Sequence, residues 1–143
     1  MDYKIVELKE KKIVGFASRT SNDSPEMGDI IGGLWQKLYS PENVSKVQNR
    51  TNAYAIGLYS DYTETDYKVT AGFEVSELPD SNDYDKEVIP AGKYAKFSVH
   101  GDQVKAVAKA WGEIWNTPLD RTYTGDFEEY TSMEDIDIYI AIK

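Results

Sequence analysis

The sequence of 143 residues predicts a single α+β domain, in which one module of two strands, a helix and two strands occurs twice. Three observations support this prediction. Stretches that alternate apolar and polar residues come in pairs, two amphipathic stretches separate these pairs, and both halves repeat the same order. The repeats lie at about residues 1–75 and 86–143, and we expect a ligand groove where they meet, because pockets favour such junctions.

The first half opens with the alternating stretch "YKIVELKEKKIVGFASR", which fits a β-hairpin or a strand with a bulge. A helix follows, with Asp23 and Ser24 as candidate caps and Pro25 at its first position. Strands at residues 54–60 and 67–75 complete the half. The apolar residues of the helix share one face: Met27, Ile30, Ile31, Leu34, Trp35 and Leu38.

The second half opens with "KEVIPAGKYAKFSVHG", which alternates on both sides of a turn at residues 90–92. Asp102 is the predicted cap of the second helix. The strand patterns "DFEEYT" and "IDIYIAI" end the half, and the acidic "SELPDSNDYD" links the two halves. The second helix also has one apolar face: Val104, Val107, Ala108, Trp111, Ile114 and Trp115.

Three glycines, Gly28, Gly32 and Gly33, interrupt the first helix. Each costs about 1 kcal/mol in a helix interior. Two explanations are open: a close backbone contact requires them, or the helix is soft and could open a pocket.

Composition restricts the classes of partner. The formal net charge of −9 argues against direct nucleic-acid binding and permits attraction of a cationic ligand. No apolar run approaches the roughly 20 residues of a membrane span, so we expect no membrane partner. With no cysteine and no apolar stretch behind the charged N-terminus, we expect no disulfides, no signal peptide and a cytoplasmic location.

Signatures of cofactor and metal chemistry are missing from the sequence. His100 is the one histidine, and there is no Gly-rich phosphate loop, no catalytic-serine motif and no metal-ligand spacing. We therefore predict neither a cofactor nor a metal.

The last two strand patterns carry the candidate site. In "DFEEY", Asp126, Glu128 and Tyr130 share one face, and Phe127 and Glu129 share the other. In the final strand four isoleucines form an apolar face that must be buried. The opposite face, with Asp137 and Tyr139, either meets water or lines a pocket, and alternation alone favours water.

Four motifs in order, "IPAGKYAKFSVHG", the tryptophan-bearing helix after it, "DFEEY" and "DIYIAIK", resemble the GyrI-like (gyrase-inhibitor-like) effector-binding domain. The resemblance covers nearly the whole chain and implies a curved antiparallel sheet with two main helices. Such domains are also appended to AraC-type and MerR-type regulators. Since this one domain uses every residue, no helix-turn-helix remains, and a role in transcription would require a separate regulatory partner.

The resemblance implies a pocket for a small hydrophobic cation. Glu128 would lie within aromatic walls, and the last strand would add Asp137 and Tyr139, although Asp137 is one methylene shorter than the family's glutamate. Core packing is the competing explanation for the tryptophans. The aromatic candidates for the walls are Tyr130, Trp35, Trp111, Tyr59 and Tyr94.

Three functions are compatible with the predicted fold and pocket. The leading one is a stand-alone protein that binds dye-like or drug-like hydrophobic cations. A hydrolase of cyclopropane-bearing electrophiles would use Glu128 as a general base, with Tyr139 orienting the substrate. A protein inhibitor of DNA gyrase is the third alternative.

Overall fold

The computed structural model describes residues 1–44, 46–80 and 82–143. Within these ranges it contains eight strands and three helices. The helices are α1 (Met27–Leu38), the short α2 (Pro41–Val44) and α3 (Lys105–Trp115). The strands are β1 (Lys4–Leu8), β2 (Lys11–Thr20), β3 (Arg50–Ser60), β4 (Tyr67–Val75), β5 (Asp85–Ile89), β6 (Gly92–His100), β7 (Asp126–Tyr130) and β8 (Asp135–Ile142).

All eight strands form one antiparallel sheet in the order β1-β6-β8-β7-β3-β4-β2-β5. The predicted α+β class and the antiparallel sheet are confirmed. If each strand of β1–β4 is replaced by its counterpart in β5–β8, and the reverse, the same strand order results when it is read from the opposite edge. A duplicated module would give this symmetry. Superposition of the two halves stays a prediction, and residue 81 of the predicted linker lies outside the described residues.

The predicted opening hairpin is wrong, because β1 and β2 do not pair with each other. β1 pairs with β6, whereas β2 pairs with β4 and β5. In a flat sheet, six strand spacings would hold β1 and β2 about 29 Å apart. The two residues between them allow a reach of only about 11 Å from Leu8 to Lys11. The sheet must therefore be strongly curved.

Both long helices lie close to their predicted positions, but the start of α1 differs from the prediction. α1 begins at Met27, two residues after Pro25, and no side chain caps it. Asp102 acts as predicted at α3, since its carboxylate accepts the backbone N–H groups of Val104 at 2.9 Å and Lys105 at 2.8 Å. No helix in the described ranges is long and apolar enough to cross a membrane.

The buried apolar residues form three clusters around the sheet. The first packs α3 against β6 and β8, and the second packs α1 against β2, β3 and β4. The side of the sheet that carries these helices is called the helix face. The third cluster, with Phe127, Tyr94 and Tyr139, lies on the other side, the strand face, where the curved sheet buries its own residues.

Candidate functional site

Glu128 occupies the middle of the helix face. It stands on β7 opposite Gly57 of β3 and Ile138 of β8. A Cβ atom added to Gly57 would lie 3.1 Å from the Glu128 carboxylate and 3.3 Å from the Trp35 ring. The glycine therefore leaves the space that the carboxylate and the indole fill. The strand alternation that predicted Glu128 and Glu129 on opposite faces is confirmed.

Three neutral donors hold the Glu128 carboxylate. Tyr59 Oη and Trp111 Nε1 donate to Oε2 at 3.2 and 2.6 Å. Tyr130 Oη donates to Oε1 at 2.7 Å. The residue is only 3% exposed. Burial raises the pKa of Glu128 above the ordinary value, while hydrogen bonds from Tyr130, Trp111 and Tyr59 oppose that shift.

Glu128 has no ion pair with any residue in the described part of the chain. Asp126, two residues earlier on the same strand, is fully buried but forms an ion pair. Arg121 Nη2 lies 2.5 Å from its Oδ2. Asp126 also accepts the Tyr62 hydroxyl at 2.6 Å and the Ala141 N–H at 2.8 Å. Glu128 is thus a buried acid with hydrogen bonds but without a countercharge.

Aromatic rings surround the Glu128 carboxylate. The Tyr59 and Trp111 rings meet edge to face with centroids 5.5 Å apart, and Trp35 meets Tyr130 in the same way at 5.3 Å. These edge-to-face contacts fix the ring orientations. Four of the predicted wall residues, Trp35, Tyr59, Trp111 and Tyr130, therefore do lie together around Glu128.

A cavity of about 300 Å³ opens beside this cluster. Trp35, Tyr39 and Tyr130 form its aromatic wall, and Gln103 and Val104, which precede α3, form the other side. Glu128 lies behind Tyr130, whose ring lines the cavity while its hydroxyl donates to the carboxylate.

A larger cavity, of about 500 Å³, lies elsewhere, between Val14, Asn49 and the loop around Pro79. Its lining mixes Lys46 with the acids Glu77 and Asp80, and none of the Glu128 cluster reaches it. We assign the candidate site to the smaller cavity, because there aromatic walls adjoin a buried carboxylate without a countercharge.

The predicted grouping of Asp137 and Tyr139 with Glu128 is wrong. Ile138, not Asp137 or Tyr139, stands opposite Glu128, so both of these residues point to the strand face. There Tyr139 stacks on Phe127 with centroids 4.5 Å apart. Tyr94, another predicted wall residue, is buried on the same face and donates to the Pro90 carbonyl at 2.5 Å.

The sequence reasoning missed several residues of the helix face. Tyr39 lines the cavity of about 300 Å³. The Tyr67 ring packs against the Tyr59 ring, with the ring centroids 5.6 Å apart. The Arg121–Asp126 pair was also missed. The sequence placed Asp126 on the Glu128 face of β7, but nothing in the pattern around Arg121 indicated that it would be buried beside this acid.

Comparison with known proteins assigns the family. The family model "Cass2: Integron-associated effector binding protein" matches residues 4–142. The chain therefore belongs to the Cass2 family of integron-associated effector-binding proteins, and the predicted resemblance to GyrI-like effector-binding domains is confirmed. YobU of Bacillus subtilis strain 168, a candidate transcriptional regulator, is 31% identical over 159 residues, which cover 97% of this chain and 96% of YobU.

Solved structures share the fold over the full length. The integron cassette protein VCH_CASS2 from the mobile metagenome of Vibrio cholerae is 31% identical, with a TM-score of 0.79 over 99% of this chain and 95% of that one. SAV2435, solved bound to tetraphenylphosphonium, is 20% identical, with a TM-score of 0.82 over 100% of this chain and 94% of that one. At that identity the likeness to SAV2435 concerns the fold.

Proposed function

We propose that the protein binds small hydrophobic organic cations at the Glu128 site. The observation that carries the proposal is the Glu128 carboxylate, which is buried, ringed by aromatic side chains and without a countercharge in the described residues. A buried carboxylate costs several kcal/mol unless it is paired. A bound cation supplies the missing charge, and the surrounding rings attract it further through their quadrupoles.

The hydrogen bonds of Glu128 narrow the class of cation. Three donors already occupy a carboxylate that offers about four acceptor positions. A ligand rich in N–H groups would therefore find few free acceptors. The site suits a cation whose charge is enclosed in apolar groups, such as a phosphonium or quaternary ammonium ion.

Three further observations support the proposal. The net charge of −9 steers cations towards the protein. The adjoining cavity of about 300 Å³ is at the lower end of the range of small-molecule pockets. The SAV2435 structure holds a cation of this type, tetraphenylphosphonium, on the same fold.

Calorimetric titration with tetraphenylphosphonium tests the proposal, and tetraphenylborate serves as a ligand of the same shape and opposite charge. We expect the wild-type protein to bind the phosphonium and not the borate. Glu128→Gln keeps the shape of the side chain but removes its charge, so binding should weaken by roughly 1–3 kcal/mol.

Glu113→Gln is the matched control, because Glu113 is exposed on α3 and its removal changes the net charge equally. Equal affinities of the two variants, or equal binding of phosphonium and borate, would refute the proposal. If Glu128→Gln keeps the affinity but abolishes turnover of a cyclopropane-bearing electrophile, the hydrolase hypothesis gains instead.

A further inference from the structure

Two chains of aromatic rings meet at the Glu128 carboxylate, one on each side of it. Each chain has three rings and begins with a tyrosine that donates to a different carboxylate oxygen. The members are Tyr130, Trp35 and Tyr39 in the first arm, and Tyr59, Trp111 and Trp115 in the second arm. Glu128 therefore stands between two aromatic arms.

The two arms match each other ring for ring. In the first arm the tyrosine lies 5.3 Å from Trp35, and Trp35 lies 6.1 Å from Tyr39. In the second arm the corresponding centroid distances are 5.5 and 6.2 Å, although the outer pair is tilted by 38° rather than 18°. The outer rings, Tyr39 and Trp115, are 54% and 58% exposed. Each arm thus ends in a ring with free apolar surface.

The register of β3 and β7 explains why the arms lie on opposite sides of the carboxylate. Gly57 stands opposite Glu128. Tyr59 follows Gly57 by two residues, and Tyr130 follows Glu128 by two. Because the strands are antiparallel, the two tyrosines extend in opposite directions and lie four strand positions apart, about 13 Å. The helices then continue the arms, α1 the first and α3 the second.

We propose that this site selects two-armed cations, in which the charge lies between two aryl groups and each aryl group packs on one arm. This inference rests on the proposed binding of hydrophobic cations at Glu128. The charge lies nearest the carboxylate, which stands between the arms. Each aryl group covers an outer ring that is now in contact with water, so binding removes apolar surface from water on both sides.

Other distributions of charge fit this arrangement less well. A cation with a single aryl group leaves one outer ring uncovered. A ligand with charges at its two ends moves both charges away from Glu128, the acid on this face that lacks an ion pair within the described residues. A central quaternary charge needs no hydrogen bond from the carboxylate, because Coulombic attraction depends on proximity alone.

Two quaternary ammonium ions provide matched probes for calorimetric titration. Dibenzyldimethylammonium has two aryl groups around its charge, and benzyltrimethylammonium has one. Tyr39→Ala removes the outer ring of the first arm, and Trp115→Ala removes that of the second. Both rings are more than half exposed, so both variants should fold. Tyr3→Ala is the control, because Tyr3 is an exposed aromatic residue that packs on Phe97 and belongs to neither arm.

The two probes should respond differently to these variants. Each single variant should weaken dibenzyldimethylammonium about fivefold, and the two losses should multiply in the double variant. Benzyltrimethylammonium should lose only about twofold in each single variant, because its one ring can occupy the remaining arm. Its full loss should appear only in the double variant. Tyr3→Ala should leave both affinities unchanged.

The indole N–H signals of the three tryptophans give an NMR readout that needs no variant. With dibenzyldimethylammonium, the signals of Trp35 and Trp115 should both shift and should saturate at the same concentration. A shift of Trp35 alone, or wild-type affinity for this cation in either single variant, would overturn the inference. Phosphonium binding would still depend on Glu128 in those outcomes, whereas equal phosphonium affinities of Glu128→Gln and wild type would contradict the proposed function itself.

Discussion

Glu128 and Glu129 are neighbours in the chain, and both are buried, but their surroundings differ in what they supply. On the helix face, Glu128 receives three hydrogen bonds and no positive charge. On the strand face, Glu129 lies near two lysines and receives no hydrogen bond within the described residues. Burial raises the pKa of both carboxyls, but only the Glu128 carboxylate is held by several hydrogen-bond donors.

The difference shows that burial alone does not define what an acidic side chain can bind. Hydrogen-bond donors and countercharge are separate requirements of a carboxylate. A site that provides one of them selects ligands that bring the other. Asp126 has both a countercharge and hydrogen-bond donors. Arg121 supplies the charge, and Tyr62 and a backbone N–H supply further hydrogen bonds.

The largest effect is expected from Asp126→Asn. This change leaves the Arg121 guanidinium nearly buried without its countercharge, and breaking such a pair costs about 3–5 kcal/mol. Urea denaturation should show that loss. Glu128→Gln, on the same strand, leaves no cation without its partner. The free energy of unfolding of this variant should therefore stay within about 1 kcal/mol of wild type or rise. Equal losses in the two variants would contradict the distinction between paired and unpaired acids.

An intermediate effect is expected from pH. The pKa of Glu128 in the fold lies above the ordinary value of 4.5, so this carboxyl takes up its proton at a higher pH than an ordinary glutamate does. Tetraphenylphosphonium carries a permanent charge, and its affinity should decrease as pH falls through that raised pKa, by up to about tenfold per pH unit. Calorimetry at pH 4.5 to 8 measures the slope.

The stability of the ligand-free protein should change in the opposite sense. A raised acid pKa adds stability below the unfolded-state value, and that stability is lost as pH rises through the folded-state pKa.

Glu128→Gln should flatten the pH dependence of phosphonium binding. A slope as steep in Glu128→Gln as in wild type would assign the titration to another group.

The smallest effect concerns α1, which borders the cavity through Trp35. A Cβ added at Gly28, Gly32 or Gly33 would meet nothing within 4 Å, so close packing does not explain these glycines. If they soften the helix, hydrogen exchange should be faster in residues 27–39 than in residues 103–115. Gly33→Ala should slow exchange in α1 and stabilise it by up to about 1 kcal/mol.

Gly112→Ala is the control for this experiment, because Gly112 has equally open surroundings in α3. It should slow exchange there and leave α1 unchanged. Equal protection of the two helices in the wild-type protein would count against a soft α1.

Features that depend on local pattern could be predicted from the sequence. The apolar stripes located α1 and α3, strand alternation separated Glu128 from Glu129, and Asp102 was identified as the cap of α3. Strand pairing could not be predicted in this way, because the two residues between β1 and β2 suggested a hairpin. The partner of β1 is β6, which lies more than 80 residues away in the sequence.

The error in the site has the same origin. Alternation in β8 correctly separated the isoleucines from Asp137 and Tyr139, but it gave no register relative to β7. Only the pairing of Glu128 with Ile138 decides which side of β8 joins the Glu128 site. The family resemblance implied the other choice, while the apolar face of β8 is the one that lies beneath α3.

The exchange of outer strands ties the two halves together during folding. β1, from the first half, pairs with β6 of the second half. β5, from the second half, pairs with β2 of the first half. A polypeptide ending after β4 would therefore have a β1 without its neighbour and a β2 with an unsatisfied edge. Such a fragment could satisfy both only by associating with the missing half or with another copy of itself. Cleaving the chain between β4 and β5 should accordingly yield two pieces that fold only in each other's presence, as a complementing pair.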